Sequence, residues 1–201
     1  MDIEKLIQTT GYVLRKYNGA LNYTKLIKIL YLSDRKSMEK TGYSITGDAY
    51  VSMKDGPVLS GLYDLIKNKF KDRLTQYYWN SKFQTDGYDV HTAAAYISDG
   101  ELTDLEVSIL DETDRQFHDS NYSQMIDYVH DKKNCPEWKN TLSSLPLSEK
   151  DIFTALGFSS DEIKSIEEEK EFYKKESELL DALDAPIPVH EQEKARELCN
   201  A

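Results

Sequence analysis

The chain has 201 residues, 39% hydrophobic and 30% charged, with a formal net charge of −11; this balance stands well away from disordered chains and allows one main domain with an appendage. No run approaches the roughly 18 apolar residues needed to span a bilayer, and Met1-Asp2-Ile3-Glu4-Lys5 lacks the charged-then-apolar layout of a signal peptide, so the expected location is the cytoplasm with no membrane partner. Residues 148–201 carry 15 acidic against 7 basic residues, and an acidic surface repels phosphate backbones, which disfavours nucleic acid and favours basic or amphipathic proteins as partners.

Ile3, Leu6, Ile7, Thr10, Val13, Leu14 and Tyr17 share one face of a helix that Asn18-Gly19 ends. Asn22 is a suitable N-cap for a second helix from about Tyr23, with Leu26, Ile27, Leu30 and Tyr31 inward and a fade near Thr41-Gly42. Thr46 to Met53 is strand-like. Asp55-Gly56-Pro57 breaks that strand, and Pro57 suits the first turn of a helix carrying Val58, Leu59, Leu62, Leu65, Ile66 and Phe70 on one face. Alternation over Gln76–Phe83, the Asp86-Gly87 turn signal and Tyr88, Val90 and Thr92 predict a hairpin.

Thr103 and Glu106 form a capping box that opens a helix through Leu105, Ile109 and Phe117. Another helix runs from about Tyr122 to His130, and Ser148 begins a short one closed by Gly157. A second capping box, Ser159 with Glu162, opens a long charged helix bearing Ile163, Ile166, Tyr173, Leu180 and Leu183. Pro186 and Pro188 stop it, and residues 189–201 are expected to be loosely held. The expected fold class is α+β, predominantly α-helical, with a short strand near 46–53 and an antiparallel hairpin near 77–93. Its division is a domain over 1–147 and an acidic helical extension over 148–201 packed on that domain.

Signs of chemistry are sparse. No phosphate-binding glycine loop, nucleophile elbow or HExxH is present. Cys135 and Cys199 lie far apart with no CxxC grouping, so free thiols are expected and no metal or cofactor. Asp86, Asp89 and His91 resemble an acid–base or metal cluster, but Asp favours a hairpin turn for backbone reasons, and the turn reading is preferred. Cys135 near His130 lacks any nucleophile signature, and Trp138 is expected to anchor its loop. Lys25, Lys28, Arg35, Lys36 and Lys40 line one side of the second helix and are expected to form its solvated face. Tyr12, Tyr17, Tyr23, Tyr31, Tyr43 and Tyr50 crowd the first quarter, as buried hydroxyl donors or as a recognition surface. The expectation is a binding protein and no enzyme.

The run Leu21-Asn22-Tyr23-Thr24-Lys25-Leu26-Ile27-Lys28-Ile29-Leu30-Tyr31-Leu32-Ser33-Asp34, followed by Gly42, Asp55-Gly56-Pro57-Val58 and Leu62-Tyr63, resembles the Panacea domain, or SocA-like antitoxin family. That family carries a K-L-x-K-L-L-Y-x-x-D helix, a short strand and a G-P-V turn into a helix with L-Y. Val129-His130-Asp131 to Pro136-Glu137-Trp138-Lys139 is similar to its T-H…P-W-K ending, with Val129 in place of Thr. The resemblance spans roughly residues 1–145. Ile27 and Ile29 depart from the leucine pattern, and Asp55 stands where an aromatic is common.

What the resemblance implies is a cytoplasmic, prophage-associated antitoxin that neutralises a cognate toxin by direct contact, or that presents it to an ATP-dependent protease. The alternative is a phage or mobile-element protein whose same scaffold binds a host protease or defence factor. The family-motif residues are Lys25, Leu26, Lys28, Leu30, Tyr31, Asp34, Gly56, Pro57, Val58, Tyr63, His130 and Trp138, with structural or partner-binding roles. Leu26, Leu30, Val58 and Leu62 are expected in the core, and Asp34 and Tyr31 are expected to hold the helix against the Gly56 turn.

Overall fold

Asp2 opens the first helix, its carboxylate accepting the Lys5 N–H at 3.1 Å, and α1 (Ile3–Arg15) buries Leu6, Ile7, Val13 and Leu14 on the predicted face. The computed structural model describes residues 1–184; Pro186, Pro188, His190, Cys199 and residues 189–201 lie outside the described residues, as does the side chain of Leu183. Asn18 and Gly19, both at positive φ, turn the chain into a short strand, β1 (Ala20–Asn22), that the sequence reading did not foresee. Tyr17 falls past the helix end. Asn22 then caps α2 (Tyr23–Thr41) through the N–H groups of Thr24 and Lys25, and Gly42, at φ 79°, ends it in the left-handed conformation.

The helix α2 is the centre of the fold. Leu26, Ile27, Ile29, Leu30, Tyr31 and Met38 are buried, and so are Lys25, Lys28, Ser33, Asp34 and Ser37, so apolar and polar sides alike are covered. The predicted solvated face is therefore corrected. Lys25 and Lys28 are interior, Arg35 pairs with Glu137, and only Lys36 and Lys40 reach outward to Glu112 at 3.2 and 3.1 Å.

Between residues 50 and 66 the chain departs from the expected helix. A hairpin forms from β2 (Tyr50–Met53) and β3 (Gly56–Leu59) with Lys54-Asp55 as its two-residue turn, in register Met53↔Gly56 and Ser52↔Pro57. Hydrogen-bonded and non-hydrogen-bonded pairs alternate from the pair flanking the turn, which leaves Ser52↔Pro57 in the non-bonded class. Pro57 thus needs no N–H, and β3 is an edge strand, where proline is tolerated. The helix α3 (Ser60–Ile66) follows, its first free N–H groups, at Gly61 and Leu62, bonded by the buried Asp48 carboxylate at 3.0 and 2.8 Å. Asn68, at φ 56°, stops it with the Asn68 N–H on Leu65 O and the Lys69 N–H on Asp64 O, so Phe70 lies beyond the helix.

The second hairpin is also shorter than expected. Residues 76–82 belong to α4 (Arg73–Lys82), capped by Asp72 through the Thr75 N–H, because Gln76, Trp79 and Phe83 recur at i, i+3, i+7, the helical spacing, and of these only Trp79 and Phe83 also fit alternation. β4 (Phe83–Asp86) and β5 (Asp89–Thr92) form the hairpin, with Gly87-Tyr88 at its turn, and β1 completes the sheet β1-β5-β4.

Capping boxes open α5 (Asp104–Phe117) at Thr103, α6 (Tyr122–His130) at Asn121 and α7 (Glu149–Ala155) at Ser148. Three residues, β6 (Leu145–Leu147), add to the other sheet in the order β3-β2-β6. The chain divides into two units, Met1–Phe158 and Ser159–Ala201. Pairing of β6 with β2 and burial of Ile152 and Phe153 put 145–158 with the first unit, whereas the sequence reading drew its line at 147. The second unit contains α8 (Ser160–Asp184), opened by the Ser159–Glu162 box and laced by i,i+4 pairs such as Lys164–Glu168 and Lys175–Glu171. Tyr173 and Leu180 are exposed. The fold is α+β and predominantly helical, with two small antiparallel sheets. No helix among the described residues is long and apolar enough to cross a membrane.

Candidate functional site around the central helix

Two stretches of chain meet along α2: the β2–β3 hairpin, and the end of α6 with the loop 131–139 that continues it. Lys28 stands at their junction. It is 2% exposed, and its ammonium donates to Pro57 O at 2.7 Å, the edge carbonyl that the non-bonded pairing turns away from β2. Burial pulls its pKa down to about 7, against the opposing pulls of Asp55 and Cys135. Gly56 makes this approach possible. Its φ is +104°, and a Cβ there would lie 2.5 Å from Val129 Cγ2 and 3.0 Å from Lys28 Nζ.

The loop side is held by Trp138, buried, with its ring stacked on His130 at 3.9 Å and its indole N–H on Met53 O at 2.9 Å. Lys132 also donates to the Trp138 carbonyl. The expected anchoring role of Trp138 is thus visible in atoms. Burial and the nearby Lys28 charge hold the His130 pKa below its usual value. Trp138→Phe removes the indole donor to Met53 O and part of the buried ring stacked on His130; a loss of about 1–3 kcal/mol in urea unfolding is expected.

Tyr31 and Asp34 are fully buried, but neither meets the Gly56 turn, as had been expected. Tyr31 OH donates to Glu137 Oε1 at 2.6 Å, and Arg35 Nε donates to the same oxygen at 2.9 Å. Asp34 instead gathers the segment after α2: Oδ1 accepts the N–H groups of Ile45 and Thr46, and Oδ2 accepts the hydroxyls of Thr46 and Tyr50. Burial nevertheless raises the Asp34 pKa to about 6. Lys28, one turn before Tyr31, is the residue that binds the turn, because a four-carbon stem reaches an edge carbonyl and a carboxylate only attracts donors.

Lys25 donates to His118 O at the C-terminus of α5 at 2.6 Å and lies 4.5 Å over the Tyr17 ring, a cation placed where the helix dipole is negative. Leu26, Leu30 and Val58 are core residues; Tyr63 is half-buried, with Lys67 Nζ 5.7 Å over its ring. Among the early tyrosines, Tyr12 and Tyr17 donate to Asp111 and Asp114, and Tyr31 and Tyr50 as described, so these four act as internal donors. Glu137 and Asp48 were missed by sequence reasoning. Glu137 has no exposed side-chain surface and one oxygen, Oε2, without a hydrogen-bond partner among the described residues. Only an arginine beside the motif aspartate hinted at such a carboxylate.

The other candidates stay apart from this cluster. Asp86 and Asp89 face each other across the β4–β5 turn and His91 pairs in register with Gln84 and Ala20. Cys135 is buried, and burial, reinforced by Glu137, pushes its thiol up to about 12.

A model of the family described as antitoxin SocA-like, Panacea domain, matches residues 26–139, from the end of the first turn of α2 to the residue after Trp138. No curated protein and no solved structure matches the chain.

Proposed function

From the premise that the chain belongs to the SocA-like antitoxin, Panacea-domain family, we infer that it is a binding protein that neutralises a cognate toxin by direct protein–protein contact and not by catalysis. The observation that supports this is where the family motif points. Lys25, Lys28, Tyr31, Asp34, Gly56, Pro57 and Trp138 all bond or pack inward, as the fastenings of a scaffold. A scaffold held from within leaves its outer surface free to vary between partners. The exposed Lys54-Asp55 turn and the half-buried Tyr63 beside it offer such a surface next to the motif. Cys135 as a thiol and a stacked His130 are poorly disposed for nucleophilic work, which also favours binding.

The experiment is co-expression with the product of the neighbouring gene. A complex that co-purifies, rescue from that product's toxicity, and an association rate falling with salt are expected, since charge complementarity acts mainly on encounter. Failure of both co-purification and rescue with every neighbouring product would remove the reading. Rescue that vanishes in a host lacking its ATP-dependent protease would reassign the mechanism to proteolytic delivery.

A further inference from the structure

Beside Lys28 a pocket of about 110 Å³ opens to the surface, walled by Tyr23 and Tyr63, floored by Ile27 and Lys28, and rimmed by Lys54 and Asp55. Its size suits a group of three or four heavy atoms more than a free metabolite. We propose that this pocket is a receptor for an aliphatic carboxylate, an acidic side chain or the chain terminus of a partner polypeptide, bound by the Lys28 ammonium. The identification of the source as a polypeptide rests on the binding-protein reading above; the carboxylate chemistry does not.

At Lys28 the cost of a charge exceeds what packing needs. A methionine would fill the Lys28 site without bringing a charge out of water, and desolvation disfavours the ammonium there. Its single protein acceptor among the described residues, Pro57 O, engages one of three N–H donors. Lys28 is among the residues that line the pocket, and no carboxylate among the described residues forms an ion pair with it. Lys67 Nζ stands 3.7 Å over the Tyr23 ring and 5.7 Å over that of Tyr63, so the walls carry a second cation outside the pocket. Lys54 supplies a third at the rim. An anion in the pocket therefore meets Lys28 and, at the rim, Lys54 against the opposing charge of Asp55.

Proton linkage gives the site a signature. The groups that act on Lys28 are Asp55 from the β2–β3 turn, His130 from α6 and Cys135 from the loop after it. Of these, the Cys135 thiol stays protonated. Binding of a carboxylate favours the ammonium over the amine, so binding takes up a proton and weakens as pH rises through about 7.

The test uses the full chain with methyl-labelled Ile, Val and Met, so that Ile27, Met53 and Val58 report from the pocket. Sodium butyrate, N-acetylglutamate α-amide and N-acetylglycine are the probes. Butyrate should move these methyl resonances, with affinity about tenfold higher near pH 6 than near pH 8. Movement by the glutamate amide alone points to an acidic side chain, and by N-acetylglycine alone to a chain terminus. Lys28→Met should abolish the shifts while keeping a cooperative thermal transition. Asp55→Asn, compared near pH 6 where the Lys28 ammonium predominates, should tighten binding by roughly two- to fivefold, a result that stands even where the Lys28 variant fails to fold. Methyls unmoved by every probe, shifts that persist in Lys28→Met, or no effect of Asp55→Asn would overturn the proposal. Wild-type rescue of toxicity without carboxylate binding would overturn the pocket alone, and carboxylate binding without rescue would overturn only the neutralisation reading.

Discussion

Replacing Asp34 with alanine is expected to destabilise the first unit by about 3–5 kcal/mol in denaturant unfolding, enough to leave a marginal domain largely unfolded. The size follows from what the carboxylate serves. Two backbone N–H groups and two hydroxyls, from Ile45, Thr46 and Tyr50, converge on it at 2.5–3.0 Å in a site with no exposure. Alanine strands all four. Water cannot replace the lost acceptor without opening the junction between α2 and β2, and Tyr50 also packs edge-on against Tyr31 at 5.7 Å. Asp34→Asn should cost less, because Oδ1 keeps the backbone donors and the two hydroxyls can turn to accept.

The same pair of proteins gives a pH test with a definite sign. The folded Asp34 pKa, about 6, lies above its ordinary value of 3.8, so the folded state holds the proton more tightly than the unfolded chain. Its contribution to stability is fully present below about pH 4 and is lost as pH rises through about 6. The advantage of the wild type over Asp34→Asn should therefore be largest near pH 4 and shrink towards pH 7. An advantage that grows with pH would mean that the four donors outweigh burial and that the carboxylate is favoured in the fold.

Helix faces and caps were legible in the sequence because both are local. The Thr103–Glu106 and Ser159–Glu162 boxes, the Asn22 cap and the Gly42 stop need only residues within one turn of each other. Misreadings arose where one pattern satisfies two geometries. Pro57 suits a helix start and an edge strand equally, and only pairing with Ser52 decides. Trp79 and Phe83, four apart, fit alternation as well as helical spacing, and Gln76 three before Trp79 together with the Asp72 cap decides for the helix. The three-residue strands β1 and β6 carry no periodicity of their own. Within the site, the motif positions were readable but their partners were not. Lys25 and Lys28 look like a solvated stripe until His118 O and Pro57 O, 93 and 29 residues away, are brought to them. Long-range pairing is set by packing, which a periodicity argument does not contain.

Gly56→Ala should be comparably damaging, at about 2–6 kcal/mol, through two separable causes. At φ +104° the backbone lies where a side chain is strained by about 1–3 kcal/mol whatever surrounds it. The added methyl would also stand 2.5 Å from Val129 Cγ2, a second cost of about 1–3 kcal/mol in a packed interior. A double-mutant cycle with Val129→Ala separates them. Removing the valine methyls clears the clash but leaves the torsion, so the double variant should be more stable than the sum of the single losses implies, by about 1–3 kcal/mol. Full additivity would mean instead that β3 shifts away from α6 on substitution and never makes the clash. That outcome would also draw Pro57 O from the Lys28 ammonium, because Gly56 Cβ would lie only 3.0 Å from Nζ. The pocket methyls of Met53 and Val58 would then move in Gly56→Ala without any carboxylate, whereas a purely local clash relieved at Val129 leaves them near their wild-type positions in the double variant.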